Sequence, residues 1–247
     1  MKPPLVFALV AGTLAVPVRA FAQGFSLPGI SFTGSAGPDQ IATVLEIVAG
    51  LTVLTLAPSI IVMLTCFTRV LIVLSFLRQA IGVPQMPPNQ IVTGLALFLT
   101  VFVMAPVGQQ VHAQALAPYM ARKLPPQKAL ERGWEPVRAF LLKHTRERDL
   151  GLMIELSRQE RPATPADVSA TALIPAFVIS ELRTAFQLAF VLFIPFLVID
   201  MVVASILMSM GMLMLPPMMI SLPIKILLFV LADGWHLVIR SLVQSYA

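Results

Sequence analysis

The sequence predicts an all-α membrane protein. About four long hydrophobic helices form two kinked hairpins, with a short amphipathic helical extramembrane segment between them. Three observations carry that reading. Apolar residues make up 57% of the chain, above the roughly 45–50% of soluble domains. Charged residues make up 12%, about half the usual share of roughly 25%. The charges also leave long gaps: Ile47 to Thr68 has none, and neither does Met201 to Ile224 between Asp200 and Lys225.

This composition disfavours disorder and an ordinary soluble enzyme. The net charge of +5 does not point to nucleic acid, because the basic residues form no stripe or cluster with interleaved aromatics. Cys66 is the single cysteine. An intramolecular disulfide and a paired-cysteine metal site are therefore excluded, and a buried, inert thiol is expected.

The first segment, 1–22, reads as a cleaved signal peptide. Lys2 supplies a thin positive start, Leu5 to Val16 a short apolar run, and Ala20-Phe21-Ala22 an A-x-A cleavage signal. An uncleaved N-terminal anchor is the alternative. Residues 23–40 are rich in Gly, Pro and Ser and read as an extended leader without a core of its own.

Residues 41–108 are expected to form the first hydrophobic hairpin. Ile47 to Thr68 is long enough to cross a bilayer, which needs about 20 apolar residues, and Pro58 should kink it. Apolar character resumes after Arg69 and runs to Leu77, so the element exceeds one simple span. Gly82 to Gln90, "GVPQMPPNQ", is a turn, and a second span covers about Ile91 to Val107.

Residues 109–167 form the charged extramembrane segment. Arg122 to Asp167 carries ten Lys/Arg and seven Asp/Glu. Leu130, Trp134, Val137 and Leu141 recur at helical spacing, and Leu150, Met153 and Ile154 continue the period. Two short amphipathic helices with a solvated charged face are expected. Residues 168–247 form the second hairpin, with apolar stretches at about Thr171 to Ile199 and Pro223 to Val243 joined by a methionine-rich bend.

The bend, "SMGMLMLPPMMI" from Ser209 to Ile220, holds five methionines and no charge. A connection entering water normally carries something polar. This one is expected to stay buried in protein or to line a narrow cavity. Taken alone, its methionines read as core or lipid-facing packing.

Catalytic chemistry is missing from the pattern. His112, His144 and His236 lie far apart, and there is no nucleophile elbow, phosphate-cradling loop or H-E-x-x-H. No enzyme activity and no cofactor are expected.

The informative residues are charges in apolar segments: Glu46, Arg69, Glu181, Arg183, Asp200, Lys225 and Asp233. At membrane depth each costs about 2.5–3.5 kcal/mol, so such groups pair or line a pathway. Glu46 and Arg69 also suit span ends. With the bend at Pro216 and Pro217, Lys225 lies about 13 Å from the apex and Asp200 about 25 Å along the other arm. On that count the two do not meet, and Lys225 needs an acid elsewhere, on another part of the chain or on another copy.

Four blocks carry a family resemblance: "LTCFTRVLIVLSFLRQAIGVPQMPPNQIVTGLALFLTVFVMAPV", "FLLKHTRERDLGLM", "PAFVISELRTAFQLAFVLFIPFLVIDMVVASILMSMGMLMLPP" and "LPIKILLFVLADGWHLVIRSL". Together they resemble the FliP family of flagellar type III export-gate proteins, nearly end to end after the signal peptide. The resemblance implies a ring of five copies. The ring would assemble with FliQ-like, FliR-like and FlhB-like proteins into a helical cone at the flagellar basal body in the bacterial inner membrane, partly exposed on the periplasmic side. Unfolded rod, hook and filament subunits would pass through it.

It also implies a pore constriction at Met210, Met212, Leu213 and Met214, where Leu213 departs from an all-methionine version. It implies a charge pair between Glu181 of one copy and Lys225 of the next. Ala189 stands where glycine is usual. The signal peptide and leader favour the flagellar branch over injectisome relatives.

Two readings of another class stay open at this point. Met210, Met212 and Met214 form an M-x-M-x-M run whose thioethers suit copper(I) transport. Glu181, Asp200 and Asp233 could serve an ion-coupled transporter as a relay.

Overall fold

The structure is a computed structural model of the single chain, and it describes residues 38–157, 162, 164, 167–212 and 214–246. The expected signal peptide, the leader up to residue 37 and Leu213 lie outside the described residues. All regular structure among the described residues is helical. The chain divides into two compact units, Met1–Leu56 and Ala57–Ala247.

The first long helix, α1, is Pro38–Met63. Its stretch Val44–Met63 is apolar and long enough to cross a membrane. Two of its threonines satisfy themselves locally: Thr52 Oγ1 donates to the Val48 carbonyl at 2.7 Å and Thr55 Oγ1 to that of Thr52 at 2.9 Å. Back-bonding of this kind hides a hydroxyl from an apolar surrounding. Pro58 lies inside the helix, and the break falls later, at Leu64–Cys66. The apolar run that outlasts one span is thus two helices, α1 and α2 (Phe67–Ile81).

The second unit is built around two helices, α2 and α7. Val70, Val73, Leu74, Leu77 and Ile81 form one buried stripe on α2, at the i, i+3, i+4, i+7 spacing of an amphipathic helix. That stripe meets α7, the 40-residue helix Ala170–Ser209. Small residues line the buried side of α7: Ala176 and Ala185 are fully buried, and Ala189 nearly so. Small side chains let helix backbones approach closely. Phe177 and Leu173 fill the remaining space.

The helix after the Pro-rich turn, α3, is Asn89–Val111. The sequence places the end of this span near Val107. The helical path instead continues through a π-helical segment, His112–Leu116, and a short α4, Ala117–Met120. The whole run, Asn89–Met120, spans 32 residues. Pro106 and Gly108 sit inside the run and do not stop it.

The two amphipathic helices form as expected: α5 is Pro126–His144 and α6 is Glu147–Leu156. Leu141 is fully buried, and Trp134, Val137, Leu150, Met153 and Ile154 pack against the core. Leu130 departs from the pattern and is exposed. Both helices lie on α7.

The last apolar stretch is bent. α8 (Pro217–Leu231) and α9 (Gly234–Gln244) meet at 64°. The bend needs Asp233 in the left-handed region, with φ at 49°, a conformation that Asp tolerates better than most residues. It also needs Gly234, because a Cβ there would lie 2.2 Å from the Phe229 ring. By length and composition three helices could span a membrane, or four if the bent pair counts as one.

Candidate functional site: the methionine turn and its charge pairs

The turn between α7 and α8 is stopped by local sequence. Gly211 takes φ of 74°. Its N–H donates to the Met208 carbonyl at 3.1 Å, and the Met212 N–H donates to that of Leu207 at 3.0 Å. This is the paired pattern of a Schellman helix end, which places glycine at the left-handed position. Pro217 then opens α8 in the first turn, where a proline costs no hydrogen bond. Between them the methionines stand out from the helix ends: Met210 is 66%, Met212 40% and Met214 98% exposed.

The early stop of α7 overturns the hairpin count made from sequence. The described residues between Ser209 and Pro217 are not helical, so the two arms begin at Ser209 and Pro217. Asp200 is then about 13 Å back and Lys225 about 12 Å forward, so they are level. They do meet: Lys225 Nζ lies 2.6 Å from Asp200 Oδ2. Ser221 Oγ donates to the other carboxylate oxygen at 2.6 Å. Lys225 Nζ also donates to the Ala80 carbonyl at 3.3 Å. Lys225 thus has its acid in its own chain, and its charge gives no hint of an oligomer.

Glu181 and Arg69 pair across α7 and α2 and are nearly inaccessible. Arg69 Nε donates to Glu181 Oε2 at 3.0 Å and Nη2 donates to Oε1. Tyr246 OH also donates to Glu181 Oε2. The Arg69 guanidinium lies 3.9 Å above the Tyr246 ring and donates to Ser245 Oγ at 3.0 Å. The pairing expected between Glu181 and Lys225 of a neighbouring copy would be a contact between chains. Within one chain the two groups already have separate partners.

Arg183 lies on the exposed side of α7, 3.9 Å from Asp149 of α6. Asp149 is itself buried and accepts from Ser180 Oγ at 2.8 Å. Arg146 extends this seam, donating to Thr184 Oγ1 at 3.0 Å and Gln187 Oε1 at 2.5 Å. The part of α7 that carries Glu181 and Arg183 therefore packs against the charged amphipathic helices α5 and α6, although its sequence reads as an apolar span. Asp233 is exposed and serves the α8–α9 bend.

Sequence reasoning missed Tyr246, Asp149 and Ser180, and passed over Ser221. Their partners are 21 to 65 residues away, and no local period signals such a contact. Among the described residues no group of three or more His, Cys, Asp or Glu could hold a metal ion.

The charge pairs and the turn fall inside a stretch with close relatives. The FliP family model matches residues 50–242. A flagellar biosynthetic protein FliP of Bacillus subtilis is 50% identical over 217 residues, covering 88% of this chain and 98% of the relative. The Pectobacterium carotovorum protein of the same name is 48% identical over 241 residues, 97% of this chain and 92% of its own length. That of Borreliella burgdorferi is 42% identical over 227 residues, 91% and 89% of the two chains. With an all-helical apolar fold and a match from Gly50 through almost all of its last helix, the chain belongs to the FliP family.

Proposed function

We propose that this chain, a membrane component of the flagellar export apparatus, is a pore-forming core subunit of the export gate. Five copies close around a channel in the inner membrane, with FliQ-like, FliR-like and FlhB-like partners and the extramembrane helices on the periplasmic side. Unfolded rod, hook and filament subunits pass through. The methionine turns meet at the axis and seal the closed channel.

The observation that carries this reading is the turn itself. Three methionines project from a glycine-stopped helix end with little of their own chain against them. They lie in a stretch without charge from Met201 to Ile224. Methionine is unbranched and fits irregular gaps. An apolar constriction resists wetting and so blocks ions. The same side chains can rotate aside for a moving polypeptide, which a ring of branched residues does less easily. Leu213, outside the described residues, belongs to the same constriction.

Two measurements test the reading. Native mass spectrometry of the chain co-expressed with its FliQ-like and FliR-like neighbours should give a complex with five copies of this chain. Replacing Met210, Met212 and Met214 together by alanine should leave that complex intact and make it conduct ions in planar bilayers. A stable monomer that ignores both partners, or an assembled triple variant as tight as the parent, would refute the gate reading.

A further inference from the structure

We infer that Asp200, Ser221 and Lys225 are positioning residues for the methionine turn, a clasp that fixes how far the turn projects from the helices that carry it. The inference deepens the gate reading and rests on it only for the consequence of the turn's position, not for the clasp itself.

The geometry is specific to one register. Ser221 and Lys225 are four residues apart on α8 and so share a face. They take the two oxygens of the Asp200 carboxylate separately, each at 2.6 Å. Sliding α8 along α7 by one residue moves these groups by about 1.5 Å, enough to break both bonds. Lys225 is 4% exposed, and a cation this poorly hydrated is strongly held to its acid.

A third helix is tied in at the same point. The Ala80 carbonyl that accepts from Lys225 lies in the last turn of α2. Carbonyls there lack helical partners and favour a cation. One ammonium thus joins α2, α7 and α8.

Beyond the clasp nothing comparable restrains the turn among the described residues. No charge occurs between Asp200 and Lys225. Ser209 Oγ is spent within its own helix, on the Ile206 carbonyl at 2.7 Å. Met208, Met210, Met214, Met218 and Met219 are each at least 60% exposed. The height of the turn is therefore set where the helices are last pinned, at Asp200, Ser221 and Lys225.

The test uses the full chain co-expressed with its FliQ-like and FliR-like partners, carrying Met214→Cys as a labelling site. Cys66, the only other cysteine, is fully buried. Asp200→Asn, Lys225→Met and the milder Ser221→Ala are compared with the swap Asp200→Lys/Lys225→Asp. Each complex is checked for assembly before labelling with a water-soluble maleimide and before conductance. In assembled complexes the single charge variants should change the labelling rate by about tenfold, the scale expected when a close charge pair with one buried member is broken. The swap should bring the rate back to within about twofold of the parent. Ser221→Ala should shift it in the same direction by less.

Unchanged labelling in assembled Asp200→Asn and Ser221→Ala complexes would overturn the proposal. So would rescue by Glu181→Lys/Lys225→Glu but not by the Asp200 swap, since Lys225 would then serve a neighbouring copy. If labelling responds and is rescued while conductance never changes, the clasp stands and the gate reading falls.

Discussion

Glu181 is the most enclosed charge among the described residues, at 0% exposure. Its stability depends on Arg69, Tyr246 and the absence of water. Removing one member of a buried pair leaves the other unpaired, at about 3–5 kcal/mol. Glu181→Ala should therefore destabilise strongly, as should Arg69→Met. The double substitution Arg69→Met/Glu181→Leu should cost far less than the sum, because no charge is stranded. Thermal unfolding of the detergent-solubilised chain measures all three. Equal losses for the double and the summed singles would show that the pair is not the reason for the burial. Tyr246→Phe should cost less, about 1.5–3 kcal/mol for one hydrogen bond to a charged group.

The elements are bounded by a few residues whose backbone no other side chain suits. Gly211 holds φ of 74° in open space, with nothing within 4 Å of the point a Cβ would occupy. Gly211→Ala should therefore cost about 1–2 kcal/mol from conformation alone, and the loss should be the same whether or not partners are bound. Gly234 is the opposite case, limited by space. Its Cβ would meet the Phe229 ring, which is buried against Phe196 and Trp235 with centroids 6.4 and 5.6 Å away. Gly234→Ala should cost about 1–3 kcal/mol by overpacking, and Phe229→Leu in the same chain should recover part of it. No recovery would place the strain in the backbone at Asp233.

At the scale of the whole second unit, the amphipathic helices are fastened to α7 and to Tyr246, just after α9, by aromatic packing as well as by charge. His144 lies at the junction, with ring centroids 4.7 Å from Phe140 and 5.1 Å from Tyr246. Burial, then the positive Arg69 and Lys143, lowers its pKa to about 4 from 6.5. The folded chain thus binds fewer protons than the unfolded chain between about pH 4 and 6.5. Stability should be level above that window, fall as pH drops through it, and level off below. The partial exposure of His144 makes the effect modest. Melting temperature against pH should show the slope, and His144→Gln should flatten it; an unchanged slope would assign it to the carboxylates instead.

Composition and periodicity were enough for the class, for which stretches are helical and for the presence of a turn. The gaps without charge mark where helices can cross a membrane. The spacing of Trp134, Val137 and Leu141 marks a helix with one apolar face. The double proline marks that a turn lies between the last apolar stretches, but not that α7 already stops at Ser209. These are local or additive properties, and a chain carries them before it folds. Pairing is different. Lys225 with Asp200 depended on where α7 ends, and an error of seven residues in that end displaced the partner by two helical turns. Glu181 with Arg69 and Tyr246, and Asp149 with Ser180, join residues 31 to 112 positions apart. The same packing covers an apolar-looking half of α7 with charged helices. Sequence determined which residues must avoid water, and only the tertiary structure decided which neighbours allow the charges among them to do so.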